Sequence, residues 1–194
     1  MSLPDALDPA SDAAPGRLTA IYIAALAVLI AITSVGGDNA TKDMIRSSIQ
    51  AADTYSFYQA KSIRQTTIRV MADDFEARLA DPALPEAVRQ QLQTKLNSFR
   101  STADRYESEP ATGEGKKELI AKARDLEAQR ELAMKRDPYF DTGGALLQIA
   151  VVLASASLII AGPILLWISL VLGGLGTMLS LNGFLLLVEI PFLA

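Results

Sequence analysis

The sequence has 194 residues, half of them hydrophobic, and a formal net charge of −4. It contains no cysteine and no histidine, which excludes disulfides, thiol catalysis, zinc sites built from Cys or His, and any Ser-His-Asp triad. The apolar residues fall in two blocks around a charged middle, a pattern typical of a membrane protein with one polar insertion.

The first apolar block predicts an uncleaved transmembrane helix. Leu18 to Val35 carries no charge over 18 residues, and such a helix just spans about 30 Å of hydrocarbon. The residues before it include three aspartates and only one basic residue, Arg17, whereas a signal peptide begins with positive charge. We therefore predict an acidic tail over 1–17 and a transmembrane helix over 18–37.

The second apolar block predicts two further spans. Gly143 to Val188 carries no charge, which is too long for one crossing and suits two. Gly162-Pro163 is the natural break, since proline removes a backbone donor and disturbs the preceding turn. We place the spans at 142–162 and 163–188, as an antiparallel hairpin followed by a tail over 189–194.

Small residues recur four apart within these spans, and in lipid this spacing lets helix backbones approach closely. Packing within one chain and packing between chains fit the pattern equally well. The predicted span-packing residues are Ala20, Ala24, Ala27, Ala31, Ala150, Ala154, Gly173 and Thr177.

Two polar residues in or near the last span, Asn182 and Glu189, are candidates for an intramembrane polar function. Glu189 lies five residues from the chain end, a position that also suits the headgroup layer.

The middle segment, 38–141, predicts solvated helices. It holds 17 of the 18 Lys and Arg together with 18 Asp and Glu, with the signs interspersed. It therefore has no basic block for nucleic acid or for anionic lipid.

Caps and breakers divide this segment into three predicted helices. The first begins near Asp38 or Thr41 and ends near Leu79, before the turn DPALP. The second covers 85–108, and EPATGEG (109–115) is a flexible linker. The third covers 116–135 and ends at Asp137-Pro138, because proline disfavours helix in the residue before it.

The apolar stripes of these helices are thin, since Ala, Ser and Thr stand where a strong coiled coil has Leu or Ile. We predict an all-α membrane protein with one N-terminal transmembrane helix, a long helical hairpin or coiled-coil insertion, and a C-terminal transmembrane helical hairpin. The stripe of the first insertion helix consists of Ile45, Ile49, Ala52, Ser56, Ile63, Thr67 and Val70.

The stretch TYSFYQAKSIRQ (54–65) predicts a helix-contact face against a neighbouring chain or the returning third helix. Tyr and Gln suit a partly buried surface with hydrogen bonds at its edge. On a helix, Phe57, Lys61 and Arg64 turn away from this face. The predicted interaction face consists of Tyr55, Tyr58, Gln59, Ser62, Gln65 and Thr66.

Two stretches, QAADTYSFYQAKSIRQ (50–65) and RDPYFDTGGALLQIAVVLASASLII (136–160), resemble an uncharacterised bacterial family of small inner-membrane proteins, a domain of unknown function. The resemblance covers nearly the whole architecture and implies one N-terminal span, a charged helical insertion and two C-terminal spans. It implies no established activity. Tyr55 stands where relatives more often have tryptophan, and the connection between the last two spans lacks the Lys/Arg cluster of relatives. The matching residues are Tyr55, Tyr58, Gln59, Ala60, Lys61, Ser62, Asp137, Asp141, Leu146, Leu147, Ile149 and Ala150.

The signals for the side of the membrane conflict. Basic residues flanking the spans on the insertion side outnumber Arg17, which by the positive-inside rule favours a cytoplasmic insertion. Insertions longer than about 60 residues, however, translocate largely regardless of charge. The basic turn of relatives implies an outside insertion, so we predict an extracytoplasmic (periplasmic) one in the bacterial inner membrane.

No motif in the sequence carries recognisable catalysis, since GxGxxG, Walker, HExxH and GxSxG patterns are absent. We therefore predict no catalytic, cofactor-binding or metal-binding residues, and no nucleic-acid partner. The favoured hypothesis is a non-enzymatic scaffold in the lipid bilayer that self-associates or docks on a larger membrane complex. The alternative is an oligomeric ion channel or transporter subunit, suggested by Asn182, Glu189, Thr177 and the run Gly173-Gly174-Leu175-Gly176.

Overall fold

The computed structural model describes the backbone of residues 9–160 and 163–191 and the side chains from residue 16 onward in those ranges. All regular elements in these ranges are helices: α1 (Pro9–Leu79), α2 (Glu86–Glu107), α3 (Lys116–Ile160) and α4 (Pro163–Leu185). Residues 1–8 and the side chains of 9–15 in the predicted acidic tail, Gly162 at the predicted break, and residues 192–194 of the predicted tail over 189–194 lie outside this description.

Three of the helices are long and apolar enough to cross a membrane. They contain the candidate spans Gly16–Leu79, Lys116–Ile160 and Pro163–Leu185, each with an 18-residue window of mean hydropathy 2.1 or higher. Length and hydropathy are therefore consistent with a multi-pass membrane protein.

The chain forms two compact units, to which α1 and α3 both contribute. Among the described residues, 9–44, 131–160 and 163–191 form the span unit, and 45–130 form the insertion unit. Each is described separately below.

α1 continues through the predicted helix start at Asp38 or Thr41, so neither residue caps a helix. Gly36 is buried beneath aromatic rings, where a Cβ would lie 2.6 Å from Phe140 Cε1 and 2.8 Å from Phe184 Cζ. The Thr41 hydroxyl donates to Asp137 Oδ1 (3.0 Å) rather than to its own helix terminus. Packing thus overrides the low helix propensity of the Gly-Gly pair.

α3 also continues through a predicted end, at Asp137-Pro138, and joins the predicted third helix to the second span. The two residues after the proline, Tyr139 and Phe140, are buried. The Tyr139 hydroxyl donates to the Val188 carbonyl (3.1 Å) and accepts from the Ile190 N–H (2.8 Å). Contacts of this kind hold a proline inside a helix when neighbouring elements pack around it.

The bounds of α2 agree with the predicted helix over 85–108. Arg89, in the first turn of α2, donates from its guanidinium to two carbonyls that precede the helix, those of Leu79 and Asp81, each at 3.0 Å. The DPALP turn is therefore held by the helix that follows it. Phe75 and Phe99 stack at 5.4 Å between ring centroids and pack α1 against α2 within the insertion unit.

The span unit packs α4 through its small residues. Ser169, Gly173, Gly176, Ser180 and Gly183 are buried at alternating spacings of four and three residues. The unit has an apolar core of Leu26, Leu147 and Ala150. Small residues on one helical line allow this close packing.

Candidate functional site

The side chain of Gln65 is the centre of the contacts made by the stretch 54–65. It is 1% exposed. Its Nε2 donates to the Ala103 carbonyl (2.8 Å) and to Glu107 Oε2 (3.0 Å), while its Oε1 accepts from Lys116 Nζ (2.9 Å). One buried amide therefore joins α1 to α2 and to the first residue of α3, with both of its polar atoms satisfied.

Lys61, one turn before Gln65, is also buried, with 5% exposure. Its Nζ lies 3.8 Å from Glu109 Oε2 and 3.6 Å from Glu114 Oε2. The same atom lies 5.2 Å from the centroid of the Phe57 ring and 5.6 Å from that of Tyr106. Two carboxylates and two aromatic faces thus compensate for the desolvation of this ammonium.

The burial of Lys61 corrects the prediction that it turns away. Phe57 and Arg64 are exposed as predicted. Lys61 instead lies on the face of α1 that contacts the 107–116 region. A long side chain buries its stem and places its charge among carboxylates of the turn. A helical wheel places Lys61 about 40° from Gln65, but it does not show the partner carboxylates, which come from the turn after α2.

The segment 109–115, predicted to be a flexible linker, is a turn held by hydrogen bonds to Glu118. Glu118 Oε1 accepts from the Ser108 hydroxyl (2.6 Å), and its Oε2 accepts from the Glu109 N–H (3.1 Å). Gly113 adopts a positive φ of 70°, a conformation that glycine adopts at low cost. The turn thus presents Glu109 and Glu114 to Lys61.

Hydrogen bonds hold two carboxyls of this cluster in their ionised form. The bond from Gln65 keeps the pKa of Glu107 below its usual value despite partial burial, and the charges of Lys116 and Arg69 add to the effect. The bond from Ser108, followed by that from the Glu109 N–H, lowers the pKa of Glu118. Glu107 and Glu118 therefore take part in the cluster as hydrogen-bonded carboxylates.

The structure divides the predicted interaction face among three environments. Gln65 is buried, and Tyr55, Tyr58 and Ser62 are half-buried, whereas Gln59 and Thr66 are exposed. Tyr58 lies below the Lys116 ammonium, 5.6 Å from Nζ to the ring centroid. Burial, followed by a hydrogen bond with Glu127, raises the pKa of the Tyr55 hydroxyl.

The predicted small-residue positions of the spans also divide. Ala150, Ala154 and Gly173 are buried and Thr177 is half-buried in the span unit. The four alanines predicted as packing positions in the first span are exposed: Ala20, Ala24, Ala27 and Ala31.

The sequence analysis missed the close backbone approach of α3 and α4 at Gly143 and Gly176. A Cβ on Gly176 would lie 2.8 Å from the Gly143 carbonyl oxygen and 2.9 Å from Leu147 Cγ. The 4-3 spacing from Ser169 to Gly183 was the available signal, because it places five small residues on one face of α4.

Asn182 and Glu189 both make hydrogen bonds near the end of α4. The Asn182 amide donates to the Val188 carbonyl (2.7 Å) and accepts from the Val188 N–H (3.0 Å). Glu189 accepts from Lys135 Nζ at 2.7 Å, and this bond lowers the pKa of the Glu189 carboxyl. Both polar groups thus fasten the chain that follows the helix.

The span unit contains an open groove of about 290 Å³ between α1 and α3. Its polar lining includes Thr33, Asp38, Thr41, Asp141 and Gln148. The Thr33 hydroxyl is engaged with Ser180 at 2.9 Å, and the two aspartates are exposed. In the part of the chain that the structure describes, no three His, Cys, Asp or Glu residues lie together to hold a metal ion.

Comparison with known proteins adds a family but no activity. The sequence model of the family described as "Domain of unknown function (DUF4337)" matches residues 16–186, which cover all four helices except the first turns of α1. No curated protein and no solved structure matches the chain.

Proposed function

The chain belongs to the DUF4337 family, and from that premise we propose that it is a non-enzymatic integral membrane protein that self-associates or docks on a larger membrane complex through its helical insertion. One observation carries this proposal. Four branched apolar side chains of α1 in the insertion unit are exposed: Ile45 is 50% exposed, Ile49 57%, Ile63 68% and Val70 62%. A row of exposed branched residues marks an interaction surface.

The polar chemistry of the insertion unit supports a structural role. Its buried lysine and glutamine have partners within the chain, and the carboxyls with shifted pKa values are held in their ionised form. A general acid or base working at neutral pH needs the opposite shift in a carboxyl.

The finer topology is part of the proposal. α3 and α4 are separated by two residues, so consecutive spans are antiparallel neighbours in the membrane. We place the insertion outside the cytoplasm of a bacterial cell and treat its helices as coiled-coil elements. Support comes from the length of the insertion, which exceeds the range over which flanking charge controls translocation.

The mass of the purified full-length protein in mild detergent tests the proposal. We expect light scattering, corrected for bound detergent, to give at least twice the chain mass of 20.8 kDa. A monomer that also migrates alone in native gels of solubilised membranes would contradict both self-association and docking.

The channel or transporter alternative has one favourable observation, the groove lined by Thr33, Asp38, Thr41 and Asp141. Against it, Asn182 and Glu189, two of the residues that suggested it, bind the chain segment that follows α4 and Lys135 respectively. A wide aqueous pore needs a continuous line of polar side chains along a membrane-spanning helix. The scaffold proposal therefore has the stronger support.

A further inference from the structure

α1 carries two different lines of residues through the insertion unit, both with alternating spacings of four and three. The inner line is buried or half-buried and mostly small or polar. The outer line is exposed at every position. The inner line is Ser47, Ala51, Thr54, Tyr58, Lys61, Gln65, Ile68 and Ala72. The outer line is Ile45, Ile49, Ala52, Ser56, Gln59, Ile63, Thr66 and Val70.

The two lines lie about 160° apart on a helix with 100° per residue. The inner line makes the contacts of the hairpin described above, including those of Lys61 and Gln65. The outer line is therefore not the face that packs against α2 and α3, although it holds three isoleucines and a valine. A strict 4-3 repeat is the a/d pattern by which one helix packs against another in a coiled coil.

The polar members of the outer line are compatible with burial in such a seam. The Ser56 hydroxyl donates to the Ala52 carbonyl (2.9 Å), and the Thr66 hydroxyl donates to the Ser62 carbonyl (3.0 Å). Both hydroxyls thus keep a partner if water is removed. Gln59 is the one amide, and a single polar residue in a seam specifies its register.

The direction of insertion favours a second copy of the chain as the occupant. The outer line lies on the same helix as the first candidate span. Copies that enter a membrane in the same way have parallel α1 helices, so each residue of the outer line faces its own counterpart. β-branched residues then fill three of the four a layers, at Ile49, Ile63 and Val70, as they do in parallel two-stranded coiled coils, while the d layers hold no leucine.

Charges beside the outer line fit the same arrangement. In a parallel pair, a residue at g faces the residue five positions later in the other chain, which brings Arg69 opposite Asp74. Their side chains are 58% and 53% exposed and already pair within the chain, Arg69 with Glu107 (3.8 Å) and Asp74 with Arg78 (2.9 Å), so a contact with the second copy adds to these pairs or replaces them. Lys42 and Asp73 continue the 4-3 spacing at either end, and their like charges would face each other and end the seam.

We propose that the outer line, from Ile45 to Val70, is the seam of a parallel two-stranded coiled coil with a second copy of this chain. The seam covers 26 residues and about 39 Å of helix. This inference rests on the proposed function and deepens it by naming the partner, the surface and the orientation.

Disulfide trapping tests it, because the natural chain has no cysteine. Ile63→Cys in the full-length protein in membranes is expected to form a covalent dimer upon mild oxidation, since counterparts in a parallel seam lie within disulfide reach. Arg64→Cys is the control, because Arg64 is equally exposed but off the line. We expect at least about tenfold faster dimerisation at position 63.

The outcomes separate this inference from the proposed function. If Ile63→Cys is trapped no faster than Arg64→Cys while the protein is oligomeric by light scattering, the seam is wrong and self-association stands. An antiparallel seam would also fail this test, because it places Ile63 opposite Ala52. If the protein is a monomer and no larger complex contains it, the proposed function fails as well.

A charge substitution gives a second measurement in the cysteine-free protein. Ile63→Asp places two carboxylates in one layer and is expected to weaken dimerisation by at least about tenfold with helix content unchanged. Gln50→Asp adds the same charge at an exposed position off the line, and we expect it to leave the dimer intact. Equal effects of the two substitutions would overturn the seam.

Discussion

At the scale of the residue, the insertion unit is held by groups that a hydrophobic pattern would assign to the surface. Gln65 and Lys61 are more deeply buried than any large apolar side chain of α1 within this unit. Each is compensated by several partners, which is the condition for burying an amide or a charge. Removing one partner leaves a buried group unsatisfied, so substitution of Lys61 is not a neutral control for the surface of this helix.

The hydrogen bonds of Glu118 in the turn after α2 predict that the stability of the protein depends on pH. Because the pKa of Glu118 is lowered from its ordinary 4.5 by the bonds from Ser108 and the Glu109 N–H, its stabilisation is fully present above pH 4.5. It is lost as the pH falls through the lowered pKa. Glu118→Gln is expected to lower the melting temperature at pH 7, and the difference from the natural protein should vanish in acid.

Circular dichroism of the helices during heating, repeated over pH 3 to 7 on the full-length protein in detergent, measures this difference. Asp43→Asn, at an exposed helical position, removes one carboxylate elsewhere and serves as the control. A melting-temperature difference for Glu118→Gln that persists unchanged at pH 3 would show that the bonds to the ionised carboxylate do not stabilise the turn.

At the scale of the element, packing decides where helices continue and how closely they approach. α1 passes Gly36, which lies against the rings of Phe140 and Phe184, and α3 passes Pro138, after which Tyr139 and Phe140 are buried. α4 approaches α3 at Gly143 and Gly176, where each lacks a Cβ. A helical glycine costs about 1 kcal/mol relative to alanine, so these two are retained against local propensity.

Gly176→Ala is therefore expected to destabilise the span unit. Its Cβ would lie 2.8 Å from the Gly143 carbonyl oxygen, which forces α3 and α4 apart at a cost of about 1–3 kcal/mol. Gly174→Ala is the matched control, because a Cβ there meets nothing within 4 Å. Thermal denaturation in mild detergent should rank Gly176→Ala below the natural protein, with Gly174→Ala equal or higher; the reverse order would contradict the close packing.

At the scale of the whole molecule, three helices have the length and hydropathy of membrane spans, while the charged residues are concentrated in the insertion. Length and hydropathy do not state which side of a membrane the insertion occupies. Flanking charge and insertion length point in opposite directions.

Labelling of a single cysteine decides the side. Gln90→Cys introduces a thiol at an exposed position of α2 into a chain that otherwise has none. If the insertion is extracytoplasmic, a membrane-impermeant maleimide that reaches the periplasm labels it in intact cells. Labelling only after lysis would place the insertion in the cytoplasm.

The sequence by itself determined the helical class, three apolar segments of spanning length, the bounds of α2, the end of α1 and the family resemblance. These follow from hydropathy, proline position and local motifs, which depend on neighbours in the chain. Only the tertiary structure decided that α1 and α3 pass their predicted breaks, that Lys61 is buried, and that the outer line of α1 is exposed. Those outcomes depend on carboxylates, aromatic rings and glycines that distant segments bring into contact. A residue is buried only when a second element packs against it, and the sequence of one helix does not specify that second element.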